Sequence, residues 1–271
     1  MRILFLGDVM GRCGRAGVAR YLPDLRRDYN FDFVIVNGEN ASHGRGLTEK
    51  HYRELIEAGA DVITLGDHAF DQRETLGYIA REETLLRPIN MSNAAPGRGS
   101  MMFESQGGQR VLVINALGRV FMNPINDPFA AVDDALNGCP IGDVADAAIV
   151  DFHAEATSEM QGMGHFCDGR ASLVVGTHTH IPTADHRILT GGTAIMSDAG
   201  MCGDYDSVIG MQAEEPVNRF VTGLQKERFT PAEGNPSVCG VAIETNSMGL
   251  CTYVAPVRVG GSISQTLPNF G

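Results

Sequence analysis

Three things are missing from this 271-residue chain: an apolar run long enough to span a bilayer, a closely spaced cysteine pair, and an excess of positive charge. The opening Met1-Arg2-Ile3-Leu4-Phe5-Leu6 is apolar, but Gly7-Asp8 cuts it off before it reaches the length of a secretion signal. No membrane association is expected. The six cysteines stand at 13, 139, 167, 202, 239 and 251, with no Cys-x-x-Cys spacing. That argues against a disulfide framework or a zinc ribbon, and for reduced, packed thiols in a cytoplasmic protein. A net charge of −12 repels free polyanions, so no long nucleic acid is expected as a partner. A small phosphorylated substrate drawn into a metal-lined cleft is compatible with that charge. There is no internal repeat, low-complexity tract or clear linker, and residues 1–271 read as a single domain.

What is present is a series of short apolar runs. Residues 2–6, 33–36, 62–65, 111–114, 147–150 and 173–175 read as buried strands. Helical spacing is found at residues 16–27, through Val18, Tyr21, Leu22 and Leu25, and a helix opened by Thr48-Glu49 follows the second strand. Further helices are expected near Gln72 to Arg81, from about residue 128 to Leu136, and from Ala154 to Met163. Residues 88–110 are a Pro/Gly/Ser-rich connection of little period. Late in the chain, 238–244 and 250–258 alternate around Asn246-Ser247-Met248-Gly249 and read as a hairpin. Strand–helix alternation early and antiparallel strands late point to a mixed α/β sandwich.

Five of the runs end in residue types that bind metals. Phe5-Leu6 leads to Asp8, Ile35-Val36 to Glu39 and Asn40, Thr64-Leu65 to Asp67 and His68, Ile149-Val150 to His153, and Val174-Val175 to His178 and His180. In four of them a glycine comes just before the polar group (Gly7, Gly38, Gly66, Gly176), where the backbone can turn off the strand and a ligand can approach closely. Carboxyl ends of buried parallel strands are where α/β proteins carry their sites. Asp8, Glu39, Asn40, Asp67, His153, His178 and His180 are too many donors for one ion that keeps an open position. They suit two ions bridged by a carboxylate and a hydroxide. Oxygen and imidazole donors without thiolate suit iron, manganese or zinc, with iron placed first.

In this order, Gly-Asp-Val-Met, Asn-Gly-Glu-Asn, Gly-Asp-His-Ala-Phe-Asp, Asp-Phe-His-Ala-Glu and Gly-Thr-His-Thr-His resemble the calcineurin-type metallophosphoesterases, and more closely their YmdB-like bacterial branch. The similarity runs nearly end to end and includes Thr183-Ala184-Asp185 and Tyr205 to Met211. It implies a four-layer α-β-β-α sandwich of two mixed sheets, with a two-metal site. The implied activity is phosphodiester hydrolysis of cyclic nucleotides such as 2′,3′-cyclic AMP. By the same resemblance, Asp8, Glu39, Asn40 and His180 would hold one ion, with Glu39 bridging. Asp67, His153 and His178 would hold the other, and His68 would donate a proton. Two positions depart from the wider pattern: Met10 replaces a histidine, as in the close branch, and Asp67 stands where the wider pattern and the branch have asparagine.

Other residues carry alternatives. Asp71 either orients the His68 ring or caps a helix. Arg12, Arg15 and Arg45 contact substrate or are solvated. Gly200-Met201-Cys202-Gly203 closes over the site or is a turn, and Asp151 reads as a strand-end cap. His43, His51, His165 and His186 match no ligand position. A phosphomonoesterase or nucleotidase with the same site is the alternative activity, and a non-catalytic regulatory or RNA-linked protein of the same fold is a third. A two-metal amidohydrolase would carry its His-x-His near the start of the chain, whereas here it comes late. Homo-oligomerisation is left open.

Overall fold

The computed structural model describes residues 1–271. The chain begins with β1 (Arg2–Leu6), α1 (Gly11–Tyr29), β2 (Phe33–Asn37), α2 (Glu49–Glu57), β3 (Val62–Thr64), α3 (Thr75–Tyr78) and β4 (Leu85–Leu86). It continues through β5 (Ser100–Glu104), β6 (Arg110–Leu117), α4 (Pro128–Gly138), β7 (Ala147–His153), α5 (Thr157–Phe166), β8 (Leu173–Thr177), β9 (Arg187–Ile188) and β10 (Ala194–Met196). It closes with β11 (Gly203–Asp204), α6 (Glu214–Thr222), β12 (Pro236–Thr245) and β13 (Cys251–Gly260).

Two sheets result. The first runs β11-β12-β1-β2-β3-β4, with β13 on the far side of β12, and the second runs β5-β6-β7-β8-β10-β9. Strands β1 to β4 are parallel, as are β6, β7, β8 and β10. Strand β12 is antiparallel to both β1 and β13, and β5 is antiparallel to β6, so each sheet is mixed in direction.

Side-chain alternation decides how the sheets stack. Ile3, Phe5, Phe33 and Ile35 of the first sheet share one buried cluster with Val111, Val113, Ile149 and Val175 of the second. The intervening Leu4, Leu6, Val34 and Val36 turn the other way, onto Val18, Leu22 and Leu25 of α1 and Leu55 of α2. On the second sheet Leu112, Ile114 and Val150 pack on Val132 and Leu136 of α4 and on Met160 and Met163 of α5. The fold is a four-layer α-β-β-α sandwich.

Several boundaries differ from the sequence reading. Helix α1 starts at Gly11, not at residue 16, because its first turns carry glycines in place of apolar markers; Gly17 lies against Pro236 and Val238. Only Thr75–Tyr78 is helical within 72–81, since Thr75 and Tyr78 hydroxyls are tied to the Leu47 carbonyl at 3.0 and 2.7 Å. Residues 88–110 contain the half-buried edge strand β5, whose side chains lack a clear apolar alternation. Strand β7 runs on through His153, which puts Asp151 inside the strand, and α5 starts only at Thr157. Helix α6 was not anticipated; of its residues only Pro216 is buried.

Candidate metal centre

Parallel strands of both sheets point their carboxyl ends toward the same edge of the sandwich, and the polar residues just past those ends meet there. Asp8, Glu39 and Asp67 follow β1, β2 and β3 of the first sheet, while His153 ends β7 and His178 and His180 follow β8 of the second. Ligating atoms of Glu39, Asp67, His153 and His178 all lie within 4.8 Å of one another, a group that can hold a metal ion. His153 Nε2 is 3.1 Å from Asp67 Oδ1, 3.3 Å from Glu39 Oε2 and 3.0 Å from His178 Nδ1. A second group lies beside it: His180 Nε2 is 3.2 Å from Asn40 Oδ1, and the His178 backbone N–H donates to Asp8 Oδ2 at 3.2 Å.

Proton bookkeeping shows what these atoms lack. The Thr177 hydroxyl donates to Asp151 at 2.7 Å, so at 2.9 Å it can only accept from His153 Nδ1. The Ile209 carbonyl, 2.8 Å from His180 Nδ1, can likewise only accept. Burial lowers the pKa of both imidazoles to about 4, so each carries one proton, and that proton sits on Nδ1. Both Nε2 atoms are therefore bare lone pairs. One faces carboxylate oxygens at 3.1 and 3.3 Å, and the one possible donor near it is His178 Nδ1 at 3.0 Å. The other faces Asn40 Oδ1, whose own amide N–H₂ is committed to the Gly44 carbonyl at 3.1 Å. Buried Asp8 Oδ1 has no hydrogen-bond partner at all. Acceptors aimed at acceptors at these distances are repulsive unless a cation lies among them. The donor set fits metal ions.

Local backbone makes this possible. His178 and His180 have φ of +112° and +68°, a region that side-chain-bearing residues seldom occupy, and strain of this kind concentrates at functional sites. The two rings thereby diverge, His178 toward His153 and Asp67, His180 toward Asn40. Gly66 is required, because a methyl group there would run into the Glu39 carboxylate and the His153 ring. Burial is the main influence that pushes Glu39 and Asp8 well above the usual carboxylate range; Asp67 and Asp8 add to it at Glu39, and Asp198 adds to it at Asp8.

The remaining candidates separate cleanly. His68 Nδ1 pairs with Asp71 Oδ2 at 3.0 Å, and Asp71 is not a helix cap, since α3 is preceded by Glu74. Arg45 lines the cleft above the metal-ligating groups. Arg15 instead pairs with Glu54 at 2.9 Å, and Arg12 reaches Glu233 at 3.9 Å. The Gly200–Gly203 segment is no lid: it is buried, and Cys202 pairs with Val9 beneath the site. His51 is held by Ser42 Oγ at 2.7 Å, away from the cluster.

Sequence reasoning missed Glu155, whose Oε2 is 3.2 Å from His178 Nε2; its place two residues after His153 was the available signal. It also missed the cleft's apolar side, made by Ile209, Met211, Phe220 and Phe229 in a cavity of about 460 Å³. None of these four follows a strand end; Ile209 and Met211 lie in the Tyr205–Met211 stretch of the family resemblance, and Phe220 and Phe229 lie outside it.

The model of the YmdB-like protein family matches residues 4–257. The chain belongs to the YmdB-like family. Among YmdB-like relatives, the 2′,3′-cyclic-nucleotide 2′-phosphodiesterase of Bacillus subtilis (strain 168) is 47% identical over 250 residues, 90% of this chain and 91% of that one. The crystal structure of a hypothetical protein from Thermus thermophilus superposes with a TM-score of 0.89 at 40% identity, covering 97% of this chain and 100% of the other. A phosphatase from Mycoplasma pneumoniae gives a TM-score of 0.88 at 34% identity, covering 96% and 93%.

Proposed function

We propose that this chain is a metal-dependent phosphoric diester hydrolase acting on small phosphodiesters, 2′,3′-cyclic nucleotides first among them. The observation that carries this reading is the pair of bare Nε2 atoms, on His153 and His180, aimed at oxygen acceptors in two adjoining groups. The name and 47% identity of the Bacillus relative support the substrate class. Glu39, Asp67, His153 and His178 would hold one ion, and Asp8, Asn40 and His180 would hold the other. Iron, manganese and zinc all suit such donors. When bound, the ions supply Lewis-acid polarisation of phosphoryl oxygens and a water acidic enough to attack near neutral pH.

The chain's own residues do the rest. Bound through Nδ1 to the Asp71 carboxylate, His68 presents Nε2 to the cleft and protonates the leaving ribose oxygen. Ile209, Met211, Phe220 and Phe229 offer the base an apolar wall, and Arg45 meets phosphate charge. The reading includes a single domain over 1–271 and, on the unpaired cysteines, a cytoplasmic location. No helix is long and apolar enough to cross a membrane.

His68→Ala tests the proton donor. Metal content is expected to stay at the wild-type level while the rate on 2′,3′-cyclic AMP falls by about 10²–10⁴-fold. Full activity in that variant rejects the role. A monoesterase reading has the name of the Mycoplasma phosphatase in its favour, and parallel assays on cyclic and 5′-mononucleotides separate the two.

A further inference from the structure

A second cavity, also of about 460 Å³, opens beside the metal cleft and shares Arg45, Met211, Arg219 and Phe229 with it. Arg228, His43 and Gln225 complete its lining, and no carboxylate takes part. In a chain of net charge −12, three arginines around one hollow are a local reversal of sign. None of the three has an acidic partner within 4.0 Å, although most other arginines of the chain are paired. The Arg219 guanidinium lies 5.7 Å from the Phe229 ring centre, which leaves its donors free. Arg45 and Arg219 border both cavities; Arg228 borders the outer one alone.

We propose that the outer cavity is a second phosphate subsite and that the substrates are short oligonucleotides ending in a 2′,3′-cyclic phosphate. The terminal cyclic phosphate enters the metal cleft, and the preceding phosphodiester sits between Arg228 and Arg219. This rests on the diesterase reading and deepens it. Unpaired guanidiniums in a concave wall bind phosphate oxygens through charge-assisted, bidentate hydrogen bonds. Three guanidiniums around one hollow, in a chain of net charge −12, suit a few nucleotides and not a long strand.

The test compares metal-loaded wild type with Arg228→Gln. The substrates are adenylyl-adenosine 2′,3′-cyclic phosphate, with two phosphates, and adenosine 2′,3′-cyclic phosphate, with one. Wild type is expected to favour the dinucleotide in kcat/KM, and the substitution to lower that preference about fivefold. Binding of the corresponding 3′-phosphate products is measured in parallel, and the same selective loss is expected for the two-phosphate product. If the mononucleotide is hydrolysed but the preference is absent or unchanged by Arg228→Gln, the subsite is overturned and the diesterase reading stands. Equal weakening of both probes also overturns it, because Arg228 then acts only through long-range charge. If neither cyclic substrate is hydrolysed, the diesterase reading falls, and product binding alone decides the subsite by the same selective loss.

Discussion

The side-chain amide of Asn37 donates to the Asp151 carboxylate across 2.9 Å, and this bond joins β2 of one sheet to β7 of the other beneath the metal-ligating groups. Asp151 is fully buried, and burial raises its pKa to about 6 despite side-chain donors from Thr177 and Asn37. Asn37 Oδ1 also accepts the Glu39 backbone N–H at 3.2 Å, so one side chain ties a strand end to a candidate ligand. Asn37→Ala leaves a buried carboxylate short of a donor. A loss of about 1–3 kcal/mol in unfolding free energy is expected, read by urea denaturation of the metal-loaded protein.

Thr177 passes the Asp151 charge to His153 and holds that ring's proton on Nδ1. Thr177→Val keeps the shape and removes the acceptor. Metal affinity is expected to fall by about 10–100-fold with little change in the fold, measured by competition with a chromophoric chelator. Unchanged affinity would show that the tautomer of His153 is set elsewhere.

Metal removal should destabilise the protein more at higher pH. In the metal-free fold, burial holds Glu39 and Asp8 above their unfolded values, so the protonated forms are favoured in the folded state. Their contribution is present below the unfolded carboxylate pKa and is lost as pH rises through the folded one. His153 and His180, pushed down to about 4, stay neutral over the upper range. The gap in Tm between loaded and chelated protein is expected to widen from about pH 5 to pH 8. A constant gap would mean that the carboxylates do not face the ions.

Asp67 makes a third carboxylate beside Asp8 and Glu39. At about 5 Å and an effective dielectric near 20, one extra charge is worth about 3 kcal/mol before compensation. It opposes doubly charged monoesters more than singly charged diesters. Asp67→Asn is therefore expected to raise activity on a phosphate monoester relative to a diester. An unchanged ratio at equal metal content ends that account.

Strand ends were legible because each combines an apolar run with an abrupt polar residue, and Asp8, Glu39, Asp67 and His153 all stand at such junctions. Thr48 marked its helix correctly by accepting the His51 backbone N–H at 3.3 Å. Helix α6 carries a helical period in Val217, Phe220, Val221 and, just past its end, Leu224, but all four are exposed and none is a metal-binding type, so the period pointed to no core face and to no site. Asp151 read as a cap because nothing local distinguishes a buried carboxylate with two side-chain donors from a strand-end one.

Order along the chain determined which metal-binding residue types stand at strand ends, since donor type and strand-end position are local properties. It did not determine that carboxylates from one sheet would face imidazoles from the other. That depended on two sheets stacking through Phe5, Ile35, Val113 and Ile149 with their carboxyl ends on one side. Only that stacking brings bare nitrogens and unpartnered oxygens within reach of the same cation, because the groups come from segments more than eighty residues apart and no local preference can align them.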